Sequence, residues 1–195
     1  MSRLAALAVV LGLALAGCSS GSDDGPVDSG DKALDGRVDA IQRAVDQWQS
    51  AEDITEVHRA AETARNLVVG SHGPEYGDAD GDGEIAGEAE EGLLPGAHGE
   101  TGITGPGADE RECLTANVLG GSWSDPEARW AQAEQAVADW SPSNNTFPGL
   151  QSHAQRIFGW TSLALATDDL ATAQEYAGHA QLHIAVVADD ARGCG

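Results

Sequence analysis

The chain has 195 residues, 10 lysines plus arginines against 32 acids, and a formal net charge of −22. A body this acidic excludes nucleic acid and anionic lipid headgroups as partners and favours solubility, cation binding or life in high salt. The length past the N-terminal segment, about 150 residues, suffices for one domain with a real core.

The first element is the stretch MSRLAALAVVLGLALAGC. Arg3 supplies a positive n-region, and Leu4 to Ala16 form an apolar run too short to cross roughly 30 Å of hydrocarbon, which takes about 20 residues. Its end, Leu15-Ala16-Gly17-Cys18, resembles the lipobox of bacterial lipoproteins. The resemblance implies that residues 1–17 are a signal peptide and that Cys18 carries the lipid, tethering the protein to a membrane of the cell envelope outside the cytoplasm. Removal of residues 1–17 takes Arg3 with it and leaves nine bases against 32 acids, a charge of −23. Residues 18–30 (CSSGSDDGPVDSG) are too poor in apolar groups to fold and read as a lipidated flexible tether.

From there to residue 195 the pattern is that of a single all-α domain, a bundle of four to six helices with a long Gly- and acid-rich loop, without β-like alternation. Leu34, Val38, Ile41, Val45 and Trp48 form one apolar stripe at helical spacing. Ile54, Val57, Ala61, Ala64 and Val68 form a second, ending at the helix-stop residue Gly70. The region Gln49 to Asp53 reads as a tight turn between two antiparallel helices. Residues 66–110 then hold no lysine or arginine, eleven acids and nearly half of the glycines. The loop proper is set at 70–108, and loops of this length are usually functional or disordered. A short helical segment around Glu110 to Leu119 stops at Gly120-Gly121. Ser124-Asp125-Pro126-Glu127 reads as a capping box opening a helix with Trp130, Ala133, Val137 and Trp140 on its apolar side. Beyond the break at Pro142 to Gly149, Leu150, Ala154, Ile157, Thr161 and Ala164 mark another helix. A last one begins near Asp168 with Leu170, Ala173, Ala177, Ala180, Ile184 and Val187. The segments SAEDITEVHRAAETARNLVV and ATDDLATAQEYAGHAQLHIA suggest two helical hairpins of related design. The five tryptophans are expected as core anchors.

Within the acidic loop stands Asp78-Ala79-Asp80-Gly81-Asp82-Gly83-Glu84-Ile85. Carboxylates at positions 1, 3 and 5 converge on one point only if the chain wraps around it, and glycine at position 6 permits that turn. This resembles the calcium loop of the EF-hand and dockerin families, D-x-D-x-D-G-x-I. The resemblance covers about a dozen residues. It implies side-chain ligands from Asp78, Asp80 and Asp82, a backbone oxygen from Glu84, an apolar anchor at Ile85, and calcium as the cofactor at micromolar to millimolar affinity. Position 12, a glutamate in those families, is Ala89, so Glu88, Glu90 or Glu91 has to substitute through a changed loop length. The phrase GSHGPEYGDADGDGE after ARNLVVG is similar to loops of a group of secreted bacterial helical proteins. That likeness implies a metal-stapled α-bundle and transfers no activity.

With Cys18 given to lipid, Cys113 and Cys194 remain, an even pair in an oxidising compartment and a candidate structural disulfide. His179 and His183 stand one helical turn apart. With His58 or His153 from other helices they form an alternative site for a transition metal or haem. There is no H-E-x-x-H, nucleophile elbow, P-loop or dinucleotide fingerprint, so a non-enzymatic role is expected, with the protein or small-molecule partner unknown.

Overall fold

The computed structural model describes residues 29–105, 111–143 and 145–193. Residues 1–28, which hold the expected signal peptide, Cys18 and most of the expected tether, lie outside the described residues, as do residues 106–110, Asn144 and Cys194. Five α-helices and one π-helical segment make up the regular structure there, with no strand. They are α1 (Ser29–Ser50), α2 (Ile54–Val69), the π-helical segment Leu114–Leu119, α3 (Pro126–Ala138), α4 (His153–Leu165) and α5 (Leu170–Gly193). No helix among the described residues is long and apolar enough to cross a membrane.

The first apolar stripe becomes the buried side of α1, where Leu34, Val38, Ile41, Val45 and Trp48 have essentially no exposed surface. The expected turn is real. Helix α1 ends at Ser50, and Asp53 caps α2 by accepting the Glu56 N–H. Helices α4 and α5 form a second hairpin, in which Asp169 accepts the Thr172 N–H at the start of α5. Helix α1 packs on α2 and α5, and α4 packs on the same two, so the hairpins close a four-helix ring. Short connections enforce antiparallel neighbours in such bundles. Trp48 crosses between the hairpins, its indole N–H donating to the Ala173 carbonyl at 2.9 Å. Burying a side chain of that size contributes roughly 2–3 kcal/mol, and its polar atom is satisfied as well. Helix α3 flanks α4, bringing the buried Trp130 into edge contact with Phe158.

Two local readings change. The cap of α3 is Asp125, which accepts the Ala128 N–H; Ser124 lies one residue too early, and Pro126 takes the first helical position. The reciprocal capping box belongs instead to α4, between Ser152 and Gln155. The segment before Gly120 is wound as a π-helix, closed by Gly120 in the left-handed region (φ 70°).

The acid-rich loop lies on the bundle. Ala89, Leu93 and Leu94 are buried in the core, and the N–H groups of Leu93 and Leu94 donate to the carbonyls of Leu67 and Val68 at the end of α2. Trp130 fixes the far side by donating to the Pro95 carbonyl at 2.9 Å. Close backbone approach explains part of the glycine content. A Cβ on Gly92 would stand 2.4 Å from the Val69 carbonyl carbon.

Candidate metal centre

From Ala60 to Val69 every residue of α2 but Thr63 is buried, so its polar side chains there need partners inside the protein. They find them in the loop. Glu62, with no exposed surface, accepts hydrogen bonds from the backbone N–H of Ala79 (2.7 Å) and Asp80 (3.0 Å) through Oε2 and from Ala86 (2.7 Å) through Oε1. One turn further on, the buried Asn66 donates to the carbonyls of Gly77 and Ala86 and accepts from the Gly77 N–H. Two side chains of one helix thus hold both ends of the Asp78–Ile85 segment. Arg59, three residues before Glu62, pairs with Glu84 at 3.0 Å and Asp82 at 3.5 Å. On the other flank Arg65 pairs with Glu75 at 3.1 Å, and Glu75 also accepts from Ser162 of α4. Burial pushes the Arg65 guanidinium below its usual pKa, partly offset by Glu75 and Glu62.

Inside this frame the loop wraps on its own carboxylates. Asp78 accepts the N–H groups of Gly81 (2.8 Å) and Gly83 (2.9 Å), and Asp80 Oδ1 accepts that of Asp82 (3.0 Å). Gly81 and Gly83 hold positive φ of 77° and 91°, which glycine adopts without steric cost. The result brings one oxygen each of Glu62, Asp78 and Asp80 within 4.8 Å of one another. Among the described residues this is the one group of three or more candidate ligands so placed. Asp80 Oδ2 is buried with no hydrogen-bond partner.

The sequence-derived residues therefore divide. Asp78 and Asp80 come together. The carboxylates of Asp82 and Glu84 turn to Arg59, while Glu88 and Glu90 are exposed and stand outside the group. Ile85 does not anchor the loop, being 41% exposed; the polar clamp from Glu62 and Asn66 holds the segment in its place. Glu62 was not among the residues read from the sequence. A glutamate on an alanine-rich helix carries no mark of its partner, and the ligand spacing inside the loop does not extend back to residue 62.

The histidines also divide. His58 bonds the Thr167 carbonyl (2.9 Å), beyond the C-terminal end of α4. His153 begins that helix, which at 1.5 Å per residue places the two roughly 18 Å apart along the bundle. His153 and His183 meet with their Nδ1 atoms 3.0 Å apart. Burial, then His153, Arg156 and His179, push the His183 imidazole down to about 4. Burial, then Arg156, lower that of His153, against the pull of Asp190. His179 stacks on Trp160, centroids 4.3 Å apart and planes 13° from parallel.

No family model, curated protein or solved structure matches this chain.

Proposed function

We propose that this chain is a lipid-anchored helical protein of the cell envelope, with a role in binding or structure rather than catalysis, whose 78–91 loop holds calcium. The observation that carries the calcium reading is the approach of one oxygen each of Glu62, Asp78 and Asp80 to within 4.8 Å of one another, in a group whose Asp80 has a buried Oδ2 without a donor. The donor set suits a hard cation, being oxygen throughout. Asp78 accepts one hydrogen bond on each oxygen and Glu62 Oε1 accepts one, so these atoms, like the unpartnered Asp80 Oδ2, keep a lone pair to offer. Seven acids lie between residues 78 and 91 with no base, and Arg59 answers two of them. A bound divalent ion would offset the remaining repulsion and satisfy the orphaned oxygen. Glu62 thereby supplies the carboxylate that the Ala89 position lacks, from the helix rather than from the loop.

Calorimetric titration of calcium into the protein, with thermal melts in calcium and in chelator, tests this reading. One site and a raised melting temperature are expected; no heat and no shift at millimolar calcium would reject it. The anchor rests on the Leu15–Cys18 pattern and is tested separately. Cys18→Ser should move the protein from the membrane to the soluble fraction. We also propose that Cys113 pairs with Cys194, the even pair left once Cys18 is given to lipid. The bridge would close a loop of about 80 residues, which chain entropy values at roughly 4–5 kcal/mol.

A further inference from the structure

We propose a second cation site, independent of the acidic loop, in which Nδ1 of His153 and Nδ1 of His183 hold a first-row transition metal such as zinc. The two atoms are 3.0 Å apart across the α4–α5 hairpin. Two nitrogens that each sit 2.0–2.1 Å from a tetrahedral ion are about 3.3 Å apart, so the pair needs only a few tenths of an ångström to open. As they stand, one Nδ1 carries the proton and donates it to the lone pair of the other. Moving that proton to the ring's own Nε2 frees both lone pairs toward one point, with no net release.

The surroundings favour an ion with open positions. His183 and His179 line a cavity of about 340 Å³, together with Arg156, Trp160 and Leu182. His179 is one turn from His183 on the same helix, where i, i+4 imidazoles reach a common ion once His179 leaves its stack on Trp160. Asp190, on the same helix, acts electrostatically on His153 and has a buried Oδ2 with no partner. Arg156 opposes the ion. Its charge acts on both histidines, and its Nε is held by the Leu150 carbonyl at 3.1 Å. Arg156 therefore weakens the site, which is softer than the oxygen group around Glu62 because its ligands are imidazoles.

The experiment is a zinc titration of the full-length chain in detergent with calcium in excess, followed by calorimetry. One zinc site is expected. His153→Ala and His183→Ala should each weaken it at least tenfold, Arg156→Gln should tighten it severalfold, and Asp80→Asn should leave it unchanged. Absence of zinc heat up to millimolar, or heat that survives in the double histidine variant, overturns the proposal. So does heat lost in Asp80→Asn alone, which would assign zinc to the acidic loop. Should the histidine variants fail to fold, imidazole nitrogen resonances of the unsubstituted protein decide. Zinc-dependent shifts at His153 and His183 support the site, and unmoved resonances overturn it.

Discussion

Glu62 Oε2 accepts the backbone N–H of Asp80 at 3.0 Å, and the Asp80 carboxylate, whose Oδ2 is buried without a partner, brings one oxygen within 4.8 Å of a Glu62 oxygen. The carboxylate of α2 thus fixes the backbone of the residue whose side chain most lacks a partner. On the proposed calcium reading, loop conformation and ion binding are coupled through this one contact.

Glu62→Ala leaves the N–H groups of Ala79, Asp80 and Ala86 without their acceptor. At about 1–3 kcal/mol for a buried group left unsatisfied, with partial rescue by water, a loss of about 3–5 kcal/mol is expected. Glu62→Gln retains one acceptor oxygen and should lose less, yet its amide would face a backbone donor. Urea unfolding in chelator measures both. If Glu62→Ala unfolds at the same denaturant midpoint as the parent, the clamp has no energetic role.

Asp80→Asn should change sign with calcium. In chelator it replaces a carboxylate whose buried Oδ2 lacks a donor with a neutral amide in a group shared with the Glu62 and Asp78 carboxylates, so a gain of about 1 kcal/mol is expected. In calcium the parent gains by mass action, about 2.7 kcal/mol at a hundredfold excess over Kd, and the variant forfeits that gain. Paired melts in the two conditions test the crossing. A variant destabilised equally in both would mean that Asp80 serves the loop backbone alone.

Two glycine substitutions separate close packing from helix entropy. Gly92→Ala drives a Cβ to 2.4 Å from Val69 C and 2.5 Å from Val69 O, both backbone atoms that cannot swing aside. It should cost several kcal/mol, beyond the usual 1–3 kcal/mol of overpacking, and free the loop from α2. Gly36→Ala lies on an exposed position of α1 with nothing within 4 Å, and should stabilise by up to about 1 kcal/mol. Hydrogen exchange at Leu93 and Leu94, whose N–H groups bond α2, reports whether Gly92→Ala releases the loop.

The bundle was legible because its stripes are apolar at helical spacing. Leu34 to Trp48, Val57 to Val68 and Ala173 to Val187 fall on the buried faces they mark. Local caps were less legible, since Ser124 and Asp125 both suit a helix start and the chain direction decides between them. The site was half legible. Asp78 and Asp80 announce themselves by spacing, whereas Glu62, Asn66 and Arg59 join the loop through tertiary contacts across 11 or more residues of sequence. Ile85 was misread as an anchor because apolarity predicts burial only where a cavity awaits it, and here polar side chains do the holding.

Acid should destabilise the α4–α5 hairpin through His183. Its folded pKa, about 4, lies below the ordinary value of 6.5, so folding favours the neutral ring. The unfolded chain binds the proton first, and the stability that the neutral ring contributes is fully present above about pH 6.5. It declines as pH falls from 6.5 toward 4 and has no further slope below that. His153, also lowered, adds to the same window, while Asp190 works against it. The ring keeps some solvent contact, so the loss is smaller than the full shift would imply. Urea midpoints between pH 7.5 and pH 4, in chelator, should fall more steeply in the parent than in His183→Gln, because glutamine has no proton to take up. Parallel pH profiles for the two proteins would place the acid sensitivity elsewhere.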